Sequence, residues 1–196
     1  MMLKKSLLAL SMGVLLTACA STPEPTAMDN ARQVTGNPAD NAPSWVFLPK
    51  SDKGLAASSC VNWTGNMSID RPHAIANARA DLAQQINVKA SVLDKLYNRK
   101  LEAEGKSDVG STFEQVSKQV TSESLDNSTP EEIALATLDG EKYLCALVVL
   151  NQTETAFEGL VEGSQRELDP QSKAALYEEF RAQKAMAELE KELETM

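Results

Sequence analysis

Three cysteines, Cys19, Cys60 and Cys145, offer the most chemistry in this chain of 196 residues, because a thiol can be acylated, oxidised to a disulfide or bound to a metal. The other reactive types are sparse. The single histidine, His73, has no cysteine or carboxylate cluster at ligand spacing and reads as a surface side chain. No Gly-x-Ser-x-Gly elbow, phosphate-binding loop or His-Glu-x-x-His pair occurs in the sequence. Glu131-Glu132 and Glu178-Glu179 are adjacent pairs, and consecutive side chains on a helix or strand diverge where an acid and a base would have to converge. The expectation is therefore a non-enzyme: no catalytic residue, no metal site, no cofactor and no identified small-molecule substrate.

The surroundings of Cys19 assign it a role. Lys4 and Lys5 precede a short apolar stretch at residues 7–16 and then small residues, which is the layout of a secretory signal peptide. A transmembrane helix needs about 20 apolar residues, and Thr17, Cys19 and the polar run from Ser21 stop this stretch short. The four residues Leu16-Thr17-Ala18-Cys19 resemble the lipobox of bacterial lipoproteins. That resemblance implies removal of residues 1–18, acylation of Cys19 by palmitate-type chains, and a membrane as the partner of the anchored protein. Ala20 and Ser21 follow, without the aspartate that commonly retains such proteins in the inner membrane. The resemblance thus points to the outer membrane, with the chain on its periplasmic face.

Composition narrows the partners further. There are 28 acidic against 19 basic side chains, a net charge of −9, and loss of the leader takes Lys4 and Lys5 away. A phosphate backbone would be repelled, and an aromatic content of 5% gives little platform for stacking bases, so nucleic acid is excluded as a partner. Export would leave Cys60 and Cys145 in an oxidising compartment. Both fall on predicted strands, where they are either a candidate disulfide or two buried free thiols acting as small hydrophobes. A bridge would close a loop of about 85 residues, which the chain-entropy model values at about 4 to 5 kcal/mol as an upper figure.

The elements that would position these residues follow from pattern. Residues 20–43 are rich in Pro, Ser, Thr, Asn and Asp and read as a disordered leash; about 24 such residues reach about 25 to 30 Å. Order is expected from Pro43-Ser44-Trp45-Val46, with Trp45 plugging one end of a core. A small-residue strand is predicted at 55–63. An alanine-rich helix is predicted at 70–103, capped by Ser68 or Asp70, with Pro72 in its first turn and Gly105 at its end. Residues 113–125 read as a long exposed strand. Residues 133–138 and 143–150 flank Asp139-Gly140 and predict a hairpin with a type I′ turn, although Ser128-Thr129-Pro130-Glu131-Glu132 also has the form of a helix start. In the second hairpin strand Tyr143, Cys145, Leu147 and Val149 share one face and Leu144, Ala146, Val148 and Leu150 the other. Both faces are apolar and both need cover. Residues 170–196 predict an amphipathic helix with Leu176, Phe180, Met186, Leu189, Leu193 and Met196 on one stripe. It either folds back over the sheet or meets a protein partner or a second copy, and the second reading is favoured because Gly159 and Gly163 would loosen its connection.

Pro43, Trp45 and Val46, the small-residue strand ending near Gly65, the helix segment Ala76-Asn77-Ala78-Arg79-Ala80-Asp81-Leu82-Ala83 and the strand and hairpin that follow are together similar to the LPP20 family of bacterial lipoproteins. The resemblance covers roughly residues 43–155 and implies an α+β fold: a two-layer β-α-β-β module with a long helix on a small antiparallel sheet, to which this chain adds a C-terminal amphipathic helix. The expected organisation is a signal peptide at 1–18, the lipidated Cys19 and leash at 19–43, the module at 44–155, and a linker with charged helix at 156–196. By resemblance the role is structural or in assembly of the envelope, with the flagellum as a candidate structure because the family includes flagellar relatives; the alternative is a regulatory lipoprotein that activates a peptidoglycan synthase or another envelope enzyme. Arg79, the counterpart of the family's helical arginine, is assigned to a salt bridge or cap. The acidic C-terminal helix departs from the family pattern, so no family partner carries over.

Overall fold

The computed structural model describes residues 40–107, 110–184 and 186–196, so the expected signal peptide, Cys19 and the expected leash up to residue 39 lie outside the described residues. The fold is α+β, with a long helix packed on a three-stranded antiparallel sheet. Strand β1 (Leu55–Asn62) leads into helix α1 (Met67–Ala103), and helix α2 (Phe113–Asp126) precedes strands β2 (Ser128–Leu138) and β3 (Glu141–Leu150). Three helices end the chain: α3 (Thr153–Ser164), α4 (Pro170–Arg181) and α5 (Met186–Thr195). The strand order is β1-β3-β2, so β3 is central and is buried from Leu144 to Leu150.

The predicted hairpin is present. Asp139 and Gly140 have φ of 51° and 81°, the left-handed pair that a two-residue turn between right-twisted strands requires. The strand expected at 133–138 is present but begins earlier, at Ser128, so residues 128–132 extend it instead of starting a helix, with a bulge between Pro130 and Glu132. Helix α1, 37 residues and about 55 Å long at 1.5 Å per residue, buries Ala74, Ala78, Leu82, Ile86, Ala90 and Leu93 at spacings of three and four. Its alanine-rich first half lies on β1 and β3, where Ala74 meets Val61, Leu144 and Ala146. Small side chains on both sides allow that close approach. The cap differs from expectation: Asn66 caps α1 by accepting from the Ser68 amide. Asp70 instead turns back to Thr64, accepting from its amide at 2.9 Å and from its hydroxyl, which ties the β1–α1 turn. Pro72 falls in the second turn of the helix, not the first.

Four further expectations are corrected. Residues 113–125 are helical, not a strand: Phe113, Ser117, Val120, Thr121 and Ser124 form the buried stripe. A capping box joins Thr112 and Gln115 at the start. Trp45 does not plug an end of the core; a 3-10 turn at Ser44–Val46 lays Trp45, Val46 and Phe47 over the sheet face opposite α1, against Cys145, Ala136 and Tyr143, and Trp45 also reaches Leu147 and Val149. Order begins before Pro43, because Asn41 pairs with Thr137 across the outer edge of β2 and Asp40 accepts from the Asp139 amide at 2.7 Å. Finally, residues 156–164 are not a linker but most of α3. Gly159 and Gly163 face Val120 and Val116 of α2, giving that helix a close seat rather than a loose connection.

The C-terminal segment is two helices instead of one. Leu176, Phe180 and Leu189 are buried, and Phe180 stacks obliquely on Phe157 of α3 with ring centroids 5.8 Å apart. The predicted apolar stripe is therefore spent on the chain's own core, beside α1 and α3.

Candidate functional site

Cys60 and Cys145 are directly opposed in the β1–β3 register and joined as a disulfide. Cys145 is fully buried and Cys60 partly so. Ala42, Val46 and Phe47 close over the pair on the face away from α1. The bridge links elements 85 residues apart in sequence, and the 3-10 segment packs against it.

The other side chains singled out in the sequence are not brought together. His73 is exposed on the first turns of α1. Glu131 accepts from the Ser51 hydroxyl at 2.7 Å and pairs with Lys53 at 3.4 Å, while Glu132 is exposed. Glu178 pairs with Arg181 and Glu179 with Lys184, so each carboxylate serves its own cation. Arg79 makes neither an expected ion pair nor a helix cap. Its Nε donates to Ser128 Oγ at 3.1 Å and its NH2 to the Ser128 carbonyl at 3.2 Å, which fixes the start of β2 to α1. Among the described residues no three His, Cys, Asp or Glu side chains converge as a metal site, and no helix is long and apolar enough to cross a membrane.

Two clusters of buried charge, Asp94 with Arg166 and Lys89 with its carbonyl partner, were not foreseen. Asp94, on the core stripe of α1, accepts from Arg166 NH1 at 2.6 Å and from the amides of Phe113 and Glu114 at 2.8 and 2.9 Å. It thus neutralises a buried guanidinium and satisfies two free amides at the N-terminus of α2. Arg166 lies over the Tyr97 and Phe113 rings at 4.4 and 4.7 Å, a cation–π arrangement that favours its planar charge. Three elements, α1, α2 and the segment after α3, meet at this one pair.

Lys89 is the second. It is 1% exposed and its Nζ donates to the Ala182 carbonyl at 2.5 Å. Burial pulls its amine down to about 8, against the opposing pull of the nearby Glu179 carboxylate. The carbonyl it holds belongs to the non-helical link between α4 and α5. Gln183 in the same link donates to the carbonyls of Ser51 and Gly54 at 2.6 and 2.9 Å, and Lys184 bridges Glu179 and Glu192. An amine lowered toward neutrality has nucleophilic character, but this nitrogen is covered by the link it anchors. The arrangement clamps the C-terminal pair of helices to α1 and to the entry of β1. The sequence signal was a lysine and an aspartate lying on an otherwise apolar helical stripe.

No family model matches this chain, and no curated protein matches it.

Proposed function

We propose that this chain is a non-catalytic lipoprotein of the cell envelope, acylated on Cys19, held at the periplasmic face of the outer membrane and structural or assembly-directed in role, as its resemblance to the LPP20 family implies. The observation that carries the reading is the disulfide between Cys60 and Cys145 in a chain whose expected leader runs into the lipobox-like Leu16-Thr17-Ala18-Cys19. Structural disulfides persist in oxidising compartments and are rare in reducing ones, so the covalent bond at the centre of the sheet and the lipobox argue independently for export. The buried charges support a scaffold role: Asp94, Arg166 and Lys89 are all engaged in joining helices to one another.

The test is crosslinking in intact envelopes followed by purification of the full chain and identification of what is bound. Structural or ring components, flagellar or otherwise, are the expected result. A peptidoglycan synthase as the dominant partner would replace the assembly role with a regulatory one, and recovery of the chain from the cytoplasm with free thiols would refute the envelope reading.

A further inference from the structure

The two outer strands of the sheet differ at their free edges. The Trp63 amide donates to the Lys142 carbonyl at 2.9 Å, and the antiparallel register runs on from there. Alternation along the ladder then bonds Leu55, Ala57, Ser59 and Val61 to β3 and turns the amides and carbonyls of Ala56, Ser58, Cys60 and Asn62 outward. No described residue bonds to those outward backbone groups. On β2 the same alternation turns Ile133, Leu135 and Thr137 outward, but that edge is obstructed. Asn41 exchanges both backbone bonds with Thr137, and Pro130, a bulge and the pair Glu131-Glu132 occupy the other half. Bulges, prolines and charges are the usual means by which an edge is kept from pairing. Strand β1 has none of them: its 8 residues are uncharged, include no proline and pair with β3 without a bulge. The C-terminal link stops short of this edge, because Gln183 bonds to Ser51 and Gly54, before the strand begins.

A carboxylate sits beside the middle of the open edge. Ala57 and Val61 pack on the α1 side of the sheet, so Ser59 between them faces the same way, and its hydroxyl donates to the Asp81 carboxylate of α1. Burial pushes the Asp81 carboxyl above its ordinary value, and the Ser59 bond opposes that shift. Among the described residues no Lys or Arg pairs with Asp81. We infer that the outer edge of β1 takes up an extended segment of a partner protein as a fourth, antiparallel strand, with a Lys or Arg of that segment opposite Ser59 and paired with Asp81. The inference goes beyond the assembly role proposed above and does not depend on acylation of Cys19.

The register decides the chemistry of the occupant. In such an addition Ser58 and Cys60 exchange backbone hydrogen bonds with the new strand. The residue opposite Ser59 then falls in a non-hydrogen-bonded pair, where facing side chains share one side of the sheet and approach most closely. Its side chain lies next to Asp81. A second copy of this chain is a poor occupant: pairing Ser58 with Cys60 of a second copy sets Ser59 opposite itself and turns two Asp81 carboxylates toward each other, in a chain of net charge −9. A basic segment meets no such repulsion. Backbone bonds along the edge supply its affinity, and the side chain facing Asp81 supplies selectivity.

The test uses the full chain and two seven-residue peptides of alternating Thr and Val, one with a central Lys and one with a central Glu. At a Lys peptide concentration about ten times its dissociation constant, exchange of the Ala56, Ser58, Cys60 and Asn62 amides followed by NMR should slow about tenfold, with Ile133 and Leu135 unchanged. The Glu peptide should bind about fivefold more weakly. Asp81→Lys, at an exposed position, should invert that preference, and methylating the peptide nitrogens on the bonding side should abolish binding. Absence of saturable binding, protection at Ile133 and Leu135 instead of β1, or equal affinity for the Lys and Glu peptides on the native chain overturns the inference. So does protection of the β1 amides without peptide: if it rises with protein concentration the edge belongs to a second copy, and if it does not, to another segment of this chain.

Discussion

Asp94 serves two masters at once, a buried guanidinium and the amides of Phe113 and Glu114. Removing it leaves Arg166 charged in a site where its side chain is 3% exposed, and breaking a buried pair from one side typically costs about 3 to 5 kcal/mol. Asp94→Ala is expected to lose that much in urea unfolding, and Asp94→Ala with Arg166→Met to recover part of it; equal loss in both variants would show that the pair itself is not the cause. Lys89 makes a pH prediction of opposite character. Burial lowers its amine from 10.5 to about 8, so between these values the unfolded chain binds a proton that the folded chain has released, and folding stability rises with pH through that window. The stability of the native chain relative to Lys89→Met should therefore increase from pH 8 to pH 10.5, by on the order of 2 kcal/mol. A difference that stays flat across the window would mean that Lys89 is solvated. Neither residue was legible as a structural group in the sequence. Lys89 and Asp94 occupy stripe positions that a helical pattern assigns to the core, but their partners, Ala182 and Arg166, are supplied from more than 70 residues away.

Among the elements, those with strong local signals were legible: α1 from its alanine-rich stripe, the hairpin from Asp139-Gly140, and β1 from its run of small residues between glycines. Helix α2 was not, because three of its five buried positions are Ser117, Thr121 and Ser124, which hide the helical period behind β-forming composition. Its capping box at Thr112 and Gln115 outweighs that composition once the Asp94 carboxylate accepts from the Phe113 and Glu114 amides. Helices α4 and α5 read as one because their apolar stripe runs on across the break; the break itself is imposed by Lys89 and Gln183 holding the carbonyl and side chain of the link. The start of β1 carries a sharper constraint. A side chain at Gly54 would overlap the Leu150 carbonyl oxygen and come within 2.8 Å of Thr153 Oγ1, the hydroxyl that accepts from the Leu55 amide. Gly54→Ala is accordingly expected to destabilise by about 2 to 3 kcal/mol, within the range for overpacking, with the loss seen as a lower urea midpoint at unchanged slope. A native midpoint would show that β1 can shift away from the β3–α3 corner.

The molecule as a whole is closed by one covalent link and by its own C-terminus. Cys60 and Cys145 were legible as a candidate pair because the sequence predicts export and leaves two thiols beside Cys19, but their alignment depends on the β1-β3-β2 order, a long-range pairing that no local pattern specifies. Replacing both with alanine should lower stability by about 2 to 4 kcal/mol, and a reductant should lower the native chain to the same level while leaving the variant unchanged; insensitivity of the native chain to reductant would mean that its thiols are free. The return of α4 and α5 onto α1 was the less favoured reading of the sequence, since an amphipathic stripe is equally suited to its own core and to another chain. What gives the fold its proposed use is its attachment. Cells producing the full chain and fed an alkyne-tagged palmitate should yield a labelled band for the native protein and none for Cys19→Ser at equal protein level. Label that persists on Cys19→Ser, or a native chain that takes up no label, would contradict the anchor.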